Sequence, residues 1–370
     1  MDMKTDYHIL VSGGGTGGHI FPALAIANAL KQRLPEAKIQ FVGAENRMEM
    51  ERVPEAGYLI IGLPVAGFDR KRIWRNIGVL LKLWRSSRMA RKIVREFKPD
   101  VAIGVGGYAS GPTLAAAQEA HVPTLLQEQN SYAGVTNKIL AKGADKICVA
   151  YENMDRFFPA GRIIMTGNPV RKALFDCKLT PAEAREALGF PADEPLVVVV
   201  GGSLGARSVN DATYLAMDAI TATGANLLWQ TGKIYYDEFA EKTKGKAKVK
   251  TMAFLPDMAT VYRAATFVIS RAGASTISEL QLLGVPAILI PSANVAEDHQ
   301  RKNAMALVER DAAMMILDAE ASERLKEEAP ALLNDSERRE RYAVNVRKMA
   351  LPESDERIAD EVIKLLTKGK

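Results

Sequence analysis

Short apolar runs and helix-length stretches of mixed polarity take turns along nearly the whole chain. In the first half, runs at 9–11, 39–43, 58–63, 101–105, 123–130, 146–150 and 162–166 predict strands, and 22–30, 48–56, 113–119 and 134–143 predict helices between them. Parallel strands need long crossovers, and a helix laid on the sheet is the usual one, so the alternation reads as parallel α/β. The second half repeats the pattern, with strands at 196–200, 227–233, 249–254, from Phe267 onward and at 285–290. Leu196 and the four valines after it are apolar on both faces, as a strand in the middle of a sheet must be. Helices are predicted at 181–188, after the loop 201–210, at 257–264, and in the tail at 322–333, 336–349 and 354–368.

Several predicted strands run straight into glycine. Ser12-Gly13-Gly14-Gly15-Thr16-Gly17-Gly18-His19 joins the first strand to the first helix. Without Cβ atoms its backbone N–H groups can approach an anion, and the helix behind them adds the positive end of its dipole. This is a phosphate-cradling loop. Gly13, Gly15 and Gly18 also satisfy G-x-G-x-x-G, with Glu45 after the next strand, so a dinucleotide-binding fold is one reading. Against a hydride-transfer fold stand His19, a titratable group at the helix start, and further loops of the same design. These are Gly106-Gly107-Tyr108-Ala109-Ser110-Gly111-Pro112 and Gly201-Gly202-Ser203-Leu204-Gly205-Ala206, each set between a strand and a helix. A fourth strand, from Phe267, leads through small residues to Ser275 and Ser278, candidate caps, and to Glu279. That glutamate can bind a ribose diol or simply complement the helix dipole. Gln127-Glu128-Gln129-Asn130 ends another strand, where amides can read sugar hydroxyls or cap a turn.

A chain of 370 residues, 48% hydrophobic and 25% charged, is a soluble globular protein too long for one ordinary core. The hinge is placed at Gly167-Asn168-Pro169-Val170-Arg171, giving domains at 1–167 and 168–350, with 351–370 as a helix packing back on the first. The polar start, residues 1–6, precedes the first strand with no apolar signal segment, and no run is long enough to span a bilayer, so a cytoplasmic protein is expected. Cys148 and Cys177 are read as reduced thiols. The four histidines, His8, His19, His121 and His299, form no ligand-spaced pair, and no D-x-D occurs, so no metal or other cofactor is expected.

Charge is unevenly placed. Residues 69–98 hold eleven basic and two acidic side chains, a local +9 that exceeds the whole chain's +5. Trp74, Ile77, Leu81 and Trp84 recur there at helical spacing among Arg75, Lys82 and Arg85. Such a helix suits the surface of an anionic membrane; the alternatives are a core helix with a solvated basic face, or nucleic acid, for which no reader motif is present.

Taken together and in order, the first glycine loop, Gly104-Val-Gly-Gly-Tyr-Ala-Ser-Gly-Pro112, Glu128-Gln129-Asn130, Gly167-Asn-Pro-Val-Arg171, the third glycine loop, Ser270-Arg-Ala-Gly273 and Asp298-His-Gln300 with Asn303-Ala304 resemble the MurG family. Its members are the N-acetylglucosaminyltransferases that convert lipid I to lipid II in peptidoglycan synthesis. The resemblance implies a GT-B fold, two Rossmann-like parallel α/β domains facing a deep cleft. It implies an inverting, metal-free transfer from UDP-N-acetylglucosamine to an undecaprenyl-linked acceptor at the cytoplasmic face of the plasma membrane. By matching motif, Thr16, Gly17, Gly18 and Asn130 would contact the donor sugar, and Arg171 and Ser203 the donor nucleotide and diphosphate. Leu255 would hold uracil through its backbone. Ala274, Ser275, Thr276, Ile277, Ser278 and Glu279 would wrap the diphosphate and ribose, and Gln300 would read the sugar hydroxyls. Gly14, Gly15, Gly106, Gly107, Tyr108 and Ser110 would take the acceptor diphosphate. His19 is the candidate general base, its alternative role being a donor to phosphate. Gln127 replaces the histidine common at that place in the family and is given no catalytic role. A diacylglycerol sugar transferase and a non-catalytic nucleotide-sugar sensor are the alternatives.

Overall fold

A computed structural model describes residues 5–65, 77–202 and 204–367, with the backbone alone at Ile77 and Ala296. The chain divides into two compact units, 1–171 together with 351–370, and 172–350.

The first unit runs β1 (His8–Ser12), α1 (Gly17–Arg33), β2 (Lys38–Ala44), α2 (Glu49–Glu55), β3 (Leu59–Leu63), α3 (Ile77–Phe97), β4 (Val101–Gly104), α4 (Ser110–Glu119), β5 (Thr124–Glu128), α5 (Val135–Leu140), β6 (Lys146–Val149) and β7 (Ile163–Met165). The strands form one parallel sheet in the order β3-β2-β1-β4-β5-β6-β7. Its order reverses between β1 and β4, where Ser12 lies beside Gly104, so the loops that follow these two strands emerge side by side. Ile9, Val11, Ile20, Ile26, Phe41 and Ile103 are fully buried in its core. Helix α1 starts at Gly17, so the last two glycines of the loop form its first turn and Pro22 lies inside the helix. The break between units falls after Arg171, not at Gly167, because Asn168 is still tied into the first unit: its Oδ1 accepts from Gln127 Nε2 at 2.9 Å and its Nδ2 donates to the Gln129 carbonyl at 3.0 Å.

The second unit runs α6 (Pro181–Ala187), β8 (Leu196–Val200), α7 (Arg207–Ala222), β9 (Asn226–Gln230), α8 (Tyr236–Lys242), β10 (Val249–Met252), α9 (Met258–Ala264), β11 (Phe267–Ser270), α10 (Ala274–Leu283), β12 (Ala287–Leu289), α11 (His299–Val308), β13 (Met314–Met315), α12 (Ala321–Asn334) and α13 (Ser336–Lys348). Its parallel sheet has the order β10-β9-β8-β11-β12-β13, with the same reversal between β8 and β11. Trp229, Phe239, Phe267 and Ile269 fill the core, where the Trp229 indole donates to Asn210 Oδ1 at 3.0 Å. Helices α8 and α11 and strand β13 were not expected. Helix α11 opens with five polar residues, His299 to Asn303, and is held by burial of Asn303, Ala304 and Leu307, a tertiary effect that periodicity does not report.

The last helix, α14 (Ser354–Thr367), rejoins the first unit and lies on α1, burying Ile358, Ala359, Val362, Leu365 and Leu366. Each large apolar side chain so buried contributes about 1.5–3 kcal/mol. The crossing is close at Gly167, whose φ is +84° and where a Cβ would lie 2.6 Å from Leu351 Cβ.

Cys148 is fully buried in β6, and burial pushes its thiol up to about 12. Cys177 is half-buried, its sulfur 3.9 Å from Thr260 Oγ1. A thiol reagent at mildly alkaline pH is expected to label Cys177 in the native protein and Cys148 only after denaturation. Two thiols reacting together in the native protein would contradict this placement.

Candidate active site

In the first unit the two glycine loops touch through their backbones. Gly106 and Gly107 have φ of +92° and +88°, and a Cβ on Gly107 would overlap the Gly14 carbonyl. Val105 N–H donates to the Ser12 carbonyl at 2.8 Å. His19, in the first turn of α1, lies against this junction, its ring packed where a Cβ on Gly106 would sit 3.1 Å from Nε2. Its Nδ1 is 3.1 Å from the Gly14 carbonyl oxygen and 3.2 Å from Thr16 Oγ1. A carbonyl can only accept, so Nδ1 carries the proton and the neutral ring has its lone pair on Nε2. Thr16 is exposed and Gly17 and Gly18 half-exposed. As first-turn residues of a helix, these glycines have N–H groups with no intrahelical acceptor.

The expected diphosphate set is only partly at the surface. Gly14, Gly106 and Ser110 are buried, and Ser110 Oγ donates inward to the Ser12 carbonyl at 3.4 Å. Gly15 N–H is already used: both carboxyl oxygens of Glu49 accept from it, at 3.0 and 2.9 Å. Gly107 and Tyr108 remain accessible. Glu49 was missed in the sequence because it reads as an ordinary first-turn acid of α2. The polar strand end is an internal brace. Gln127, Glu128 and Gln129 are buried; Glu128 accepts from Asn130 N–H at 3.1 Å, Gly134 N–H at 3.0 Å and Asn137 Nδ2 at 2.9 Å. Gln129 Nε2 reaches back to the Val105 carbonyl at 2.8 Å, under the second glycine loop. Of this group Asn130 alone is half-exposed, with Nδ2 donating to Glu128 at 3.2 Å. Arg171 is exposed, its guanidinium 5.9 Å from the centre of the Phe21 ring.

In the second unit, the loop after β8 backs onto the turn after β9. Gly202 carbonyl accepts from Gln230 Nε2 and from Gly205 N–H, both at 2.9 Å, and a Cβ on Gly232 would overlap Gly205 N. Ser203, expected at the donor diphosphate, lies outside the described residues. Across the strand reversal, Gly273, not Ser275 or Ser278, caps α10, with no side-chain cap bond. Ala274, Ile277 and Ser278 have buried side chains, Ser275 and Thr276 half-buried ones; a first-turn contact made by Ala274 is therefore through its backbone. Glu279 is nearly buried, and its Oε2 accepts from the Tyr262 hydroxyl at 2.9 Å. The Leu255 side chain is buried, while Asp257 caps α9. Hydrogen bonds from the Thr260 hydroxyl and N–H hold the Asp257 carboxyl below the usual carboxylate range. Gln300, in the first turn of α11, accepts on Oε1 from Ser292 N–H at 2.9 Å. The turn that delivers it is strained, with Glu297 and Asp298 at φ +57° and +52°. Arg271, part of the 270–273 motif but given no role there, ties the loop after β11 to α7 and to the turn before α12: its guanidinium donates to Ser208 Oγ at 2.7 Å and to Asp318 at 2.5 Å. Its partners are remote in sequence.

Helix α3 buries Ser86, Ala90, Ile93 and Val94 and leaves its first turns uncovered. Leu81 is 63% and Trp84 59% exposed, with Leu80 and Leu83 exposed as well. Lys82 and Arg85 are exposed among them, and the Arg88 guanidinium lies 4.9 Å from the Trp84 ring centre. Trp74 and Arg75 lie outside the described residues, as does the Ile77 side chain. Among the described residues no helix is long and apolar enough to cross a membrane, and no group of three or more metal-ligating side chains occurs.

Residues 9–149 match the glycosyltransferase family 28 N-terminal domain, and 196–358 the family 28 C-terminal domain. The chain is 54% identical, over 96% of its length and 95% of the other's, to the UDP-N-acetylglucosamine--N-acetylmuramyl-(pentapeptide) pyrophosphoryl-undecaprenol N-acetylglucosamine transferase of Bacteroides fragilis. It is 53% identical to the protein of the same name from Phocaeicola vulgatus, over 99% of this chain and 98% of that one. The crystal structure of Acinetobacter baumannii MurG matches with a TM-score of 0.78 and 27% identity, over 97% of this chain and 99% of that one. The two Rossmann-like units are those of the GT-B fold. With both domains matched in chain order and more than half of its residues shared with these transferases over nearly their whole length, the chain belongs to glycosyltransferase family 28, in its MurG branch.

Proposed function

We propose that the protein transfers N-acetylglucosamine from UDP-N-acetylglucosamine to the 4-hydroxyl of the muramoyl sugar of lipid I, giving lipid II and UDP with inversion at the anomeric carbon. The observation that carries this reading is His19, its Nδ1 pinned to the Gly14 carbonyl beside the first turn of α1. That arrangement presents a proton acceptor next to backbone donors suited to phosphate. As the 4-oxygen bonds to the anomeric carbon, its proton passes to His19 Nε2, and the glycosidic electron pair leaves with the UDP β-phosphate. Arg171 and the loop at Ser203 meet the charge that builds there, which favours the transition state over the intact donor. No metal or cofactor has a part in this reading. Thr16, Gly17, Gly18 and Asn130 contact the donor sugar, and Gln300 binds its hydroxyls. Leu255 backbone holds the uracil, and the 274–279 turn takes the diphosphate and, through Glu279, the ribose. Gly107 and Tyr108 serve the acceptor diphosphate.

The acceptor's lipid stays in a bilayer, which gives the uncovered start of α3 its partner: the anionic inner leaflet, met by Leu81 and Trp84 with Lys82 and Arg85 around them. The protein is then peripheral on the cytoplasmic face. Replacing Leu81 and Trp84 together by Ser is expected to weaken flotation with anionic vesicles by about tenfold or more, with the KM for UDP-N-acetylglucosamine unchanged. Equal flotation of the variant and the parent would remove the membrane assignment.

The reaction is tested by UDP release with UDP-N-acetylglucosamine, with and without lipid I, against UDP-glucose and diacylglycerol controls. Turnover confined to UDP-N-acetylglucosamine with lipid I is expected. Turnover on diacylglycerol would make the named acceptor wrong, and donor binding without turnover on any acceptor would make the protein a sensor.

A further inference from the structure

Glu49 is the first residue of α2, yet its side chain is fully buried. An acid shut away from water needs hydrogen bonds to replace its hydration, and Glu49 finds them on backbone. It accepts from Gly15 N–H with both oxygens and from Ala44 N–H at 3.0 Å. The space around it admits little else: a Cβ on Gly14 would overlap Glu49 Oε1, and one on Gly43 would lie 2.7 Å from its Cγ. The two glycines are thus part of its socket.

The N–H that Glu49 holds belongs to the same peptide group as the carbonyl that holds His19. In the trans Gly14–Gly15 peptide these two groups point in opposite directions. The chain of contacts therefore runs from the Glu49 carboxyl to Gly15 N–H, through the peptide, and from the Gly14 carbonyl to His19 Nδ1. Nδ1 also has Thr16 Oγ1 within reach, and a hydroxyl can either accept or donate. Thr16 alone would permit both ring tautomers. The carbonyl permits one, and it stays in place while Glu49 holds the other end of the peptide.

We propose that Glu49 is a positioning residue for glycosyl transfer: acting through the Gly14–Gly15 peptide, it fixes His19 in the tautomer whose lone pair is on Nε2. This rests on the reading of His19 as the proton acceptor. A glutamine at 49 keeps the shape, but it sets an NH2 donor where Oε2 accepts from Gly15 N–H at 2.9 Å; donor then faces donor and the peptide is released to turn. Partners of this kind, which orient a functional imidazole from behind, are typically worth about 10- to 100-fold when removed.

The test uses the full-length protein with nitrogen-15-labelled histidine, the His19 signals being those that His19→Ala removes. In the parent at neutral pH, the ring nitrogens of His19 are expected to report a protonated Nδ1 and a bare Nε2. In Glu49→Gln they should report a tautomer mixture, with kcat lowered about 10- to 100-fold and the KM for UDP-N-acetylglucosamine unchanged. In a His19→Ala background the same substitution should cost no further kcat, because its effect passes through the imidazole. A single unchanged tautomer in Glu49→Gln, or an equal loss of kcat with and without His19, would overturn the proposal. So would a protonated Nε2 in the parent, a measurement that stands even if the variant does not fold. If His19→Ala keeps full turnover, the reading of His19 as base fails; the tautomer shift is read independently of that outcome.

Discussion

His19→Ala is expected to lower kcat for lipid I glycosylation by about 10²- to 10⁴-fold, while UDP-N-acetylglucosamine binds as it does to the parent. The size follows from the role. A sugar hydroxyl is a poor nucleophile until its proton is taken, and in the proposed reaction the acceptor is Nε2 of His19, whose Nδ1 is held by the Gly14 carbonyl. Donor affinity is spared because uracil, ribose and diphosphate are assigned to Leu255, Glu279 and the 274–276 turn on the second unit. Single-turnover rates with saturating donor, set beside donor affinity from calorimetry, separate the two effects. Loss of donor affinity in step with rate would make His19 a phosphate ligand, the alternative open in the sequence. Undiminished kcat would remove it from the chemistry.

The second large effect is on the scaffold. Gly107→Ala is expected to destabilise the first unit by about 2–5 kcal/mol, the sum of left-handed strain and of forcing a methyl group into packed backbone. Gly57→Ala is its control. Gly57 has nearly the same backbone angle, φ +85° against +88°, but a Cβ there meets nothing within 4 Å, whereas at Gly107 it overlaps the Gly14 carbonyl. The control therefore carries strain alone, about 1–2 kcal/mol. In thermal melts Gly107→Ala should fall about 5–15 °C and Gly57→Ala only about 2–8 °C. Gly107→Ala should also lose turnover at temperatures where it is folded, because the displaced Gly14 carbonyl is the one that orients His19. Equal melting of the two variants would show that the glycine loops are not in contact.

Much of this was legible along the chain. A β-strand buried on both faces announces itself, as 196–200 does, and so does a glycine loop set between strand and helix, as at 13–18. The exposed start of α3 was legible as surplus apolar residues among cations, since one helix face cannot bury Leu80, Leu81, Leu83 and Trp84 at once. Other features had no local signature. The polar strand end at 127–130 left sugar reading and turn capping open, and the partners of Gln127 and Gln129, the Asn168 amide and the carbonyl of Val105, make these two side chains an internal brace. Helix α11 begins as a wholly polar segment, His299 to Asn303, and β13 is two residues long. The caps expected at Ser275 and Ser278 lost to Gly273, whose extended backbone starts the helix earlier.

The division between the two kinds of knowledge has a physical cause. Alternation of strand and helix, the glycine positions and the excess of charge on α3 are properties of neighbouring residues, set by sterics and hydrophobic period, and they can be read in one dimension. Which loops meet is a property of strand order. The pairing of β1 with β4 and of β8 with β11, across gaps filled by other strands, decides that two glycine loops share one edge in the first unit and that the 271–273 turn lies across the strand reversal in the second. The same tertiary step places Glu49 behind the first loop and closes Gly14, Gly106 and Ser110 off from solvent. The chain's local chemistry specified a glycine loop with a histidine beside it; long-range packing selected which of the loop's N–H groups are held inward and which stay at the surface.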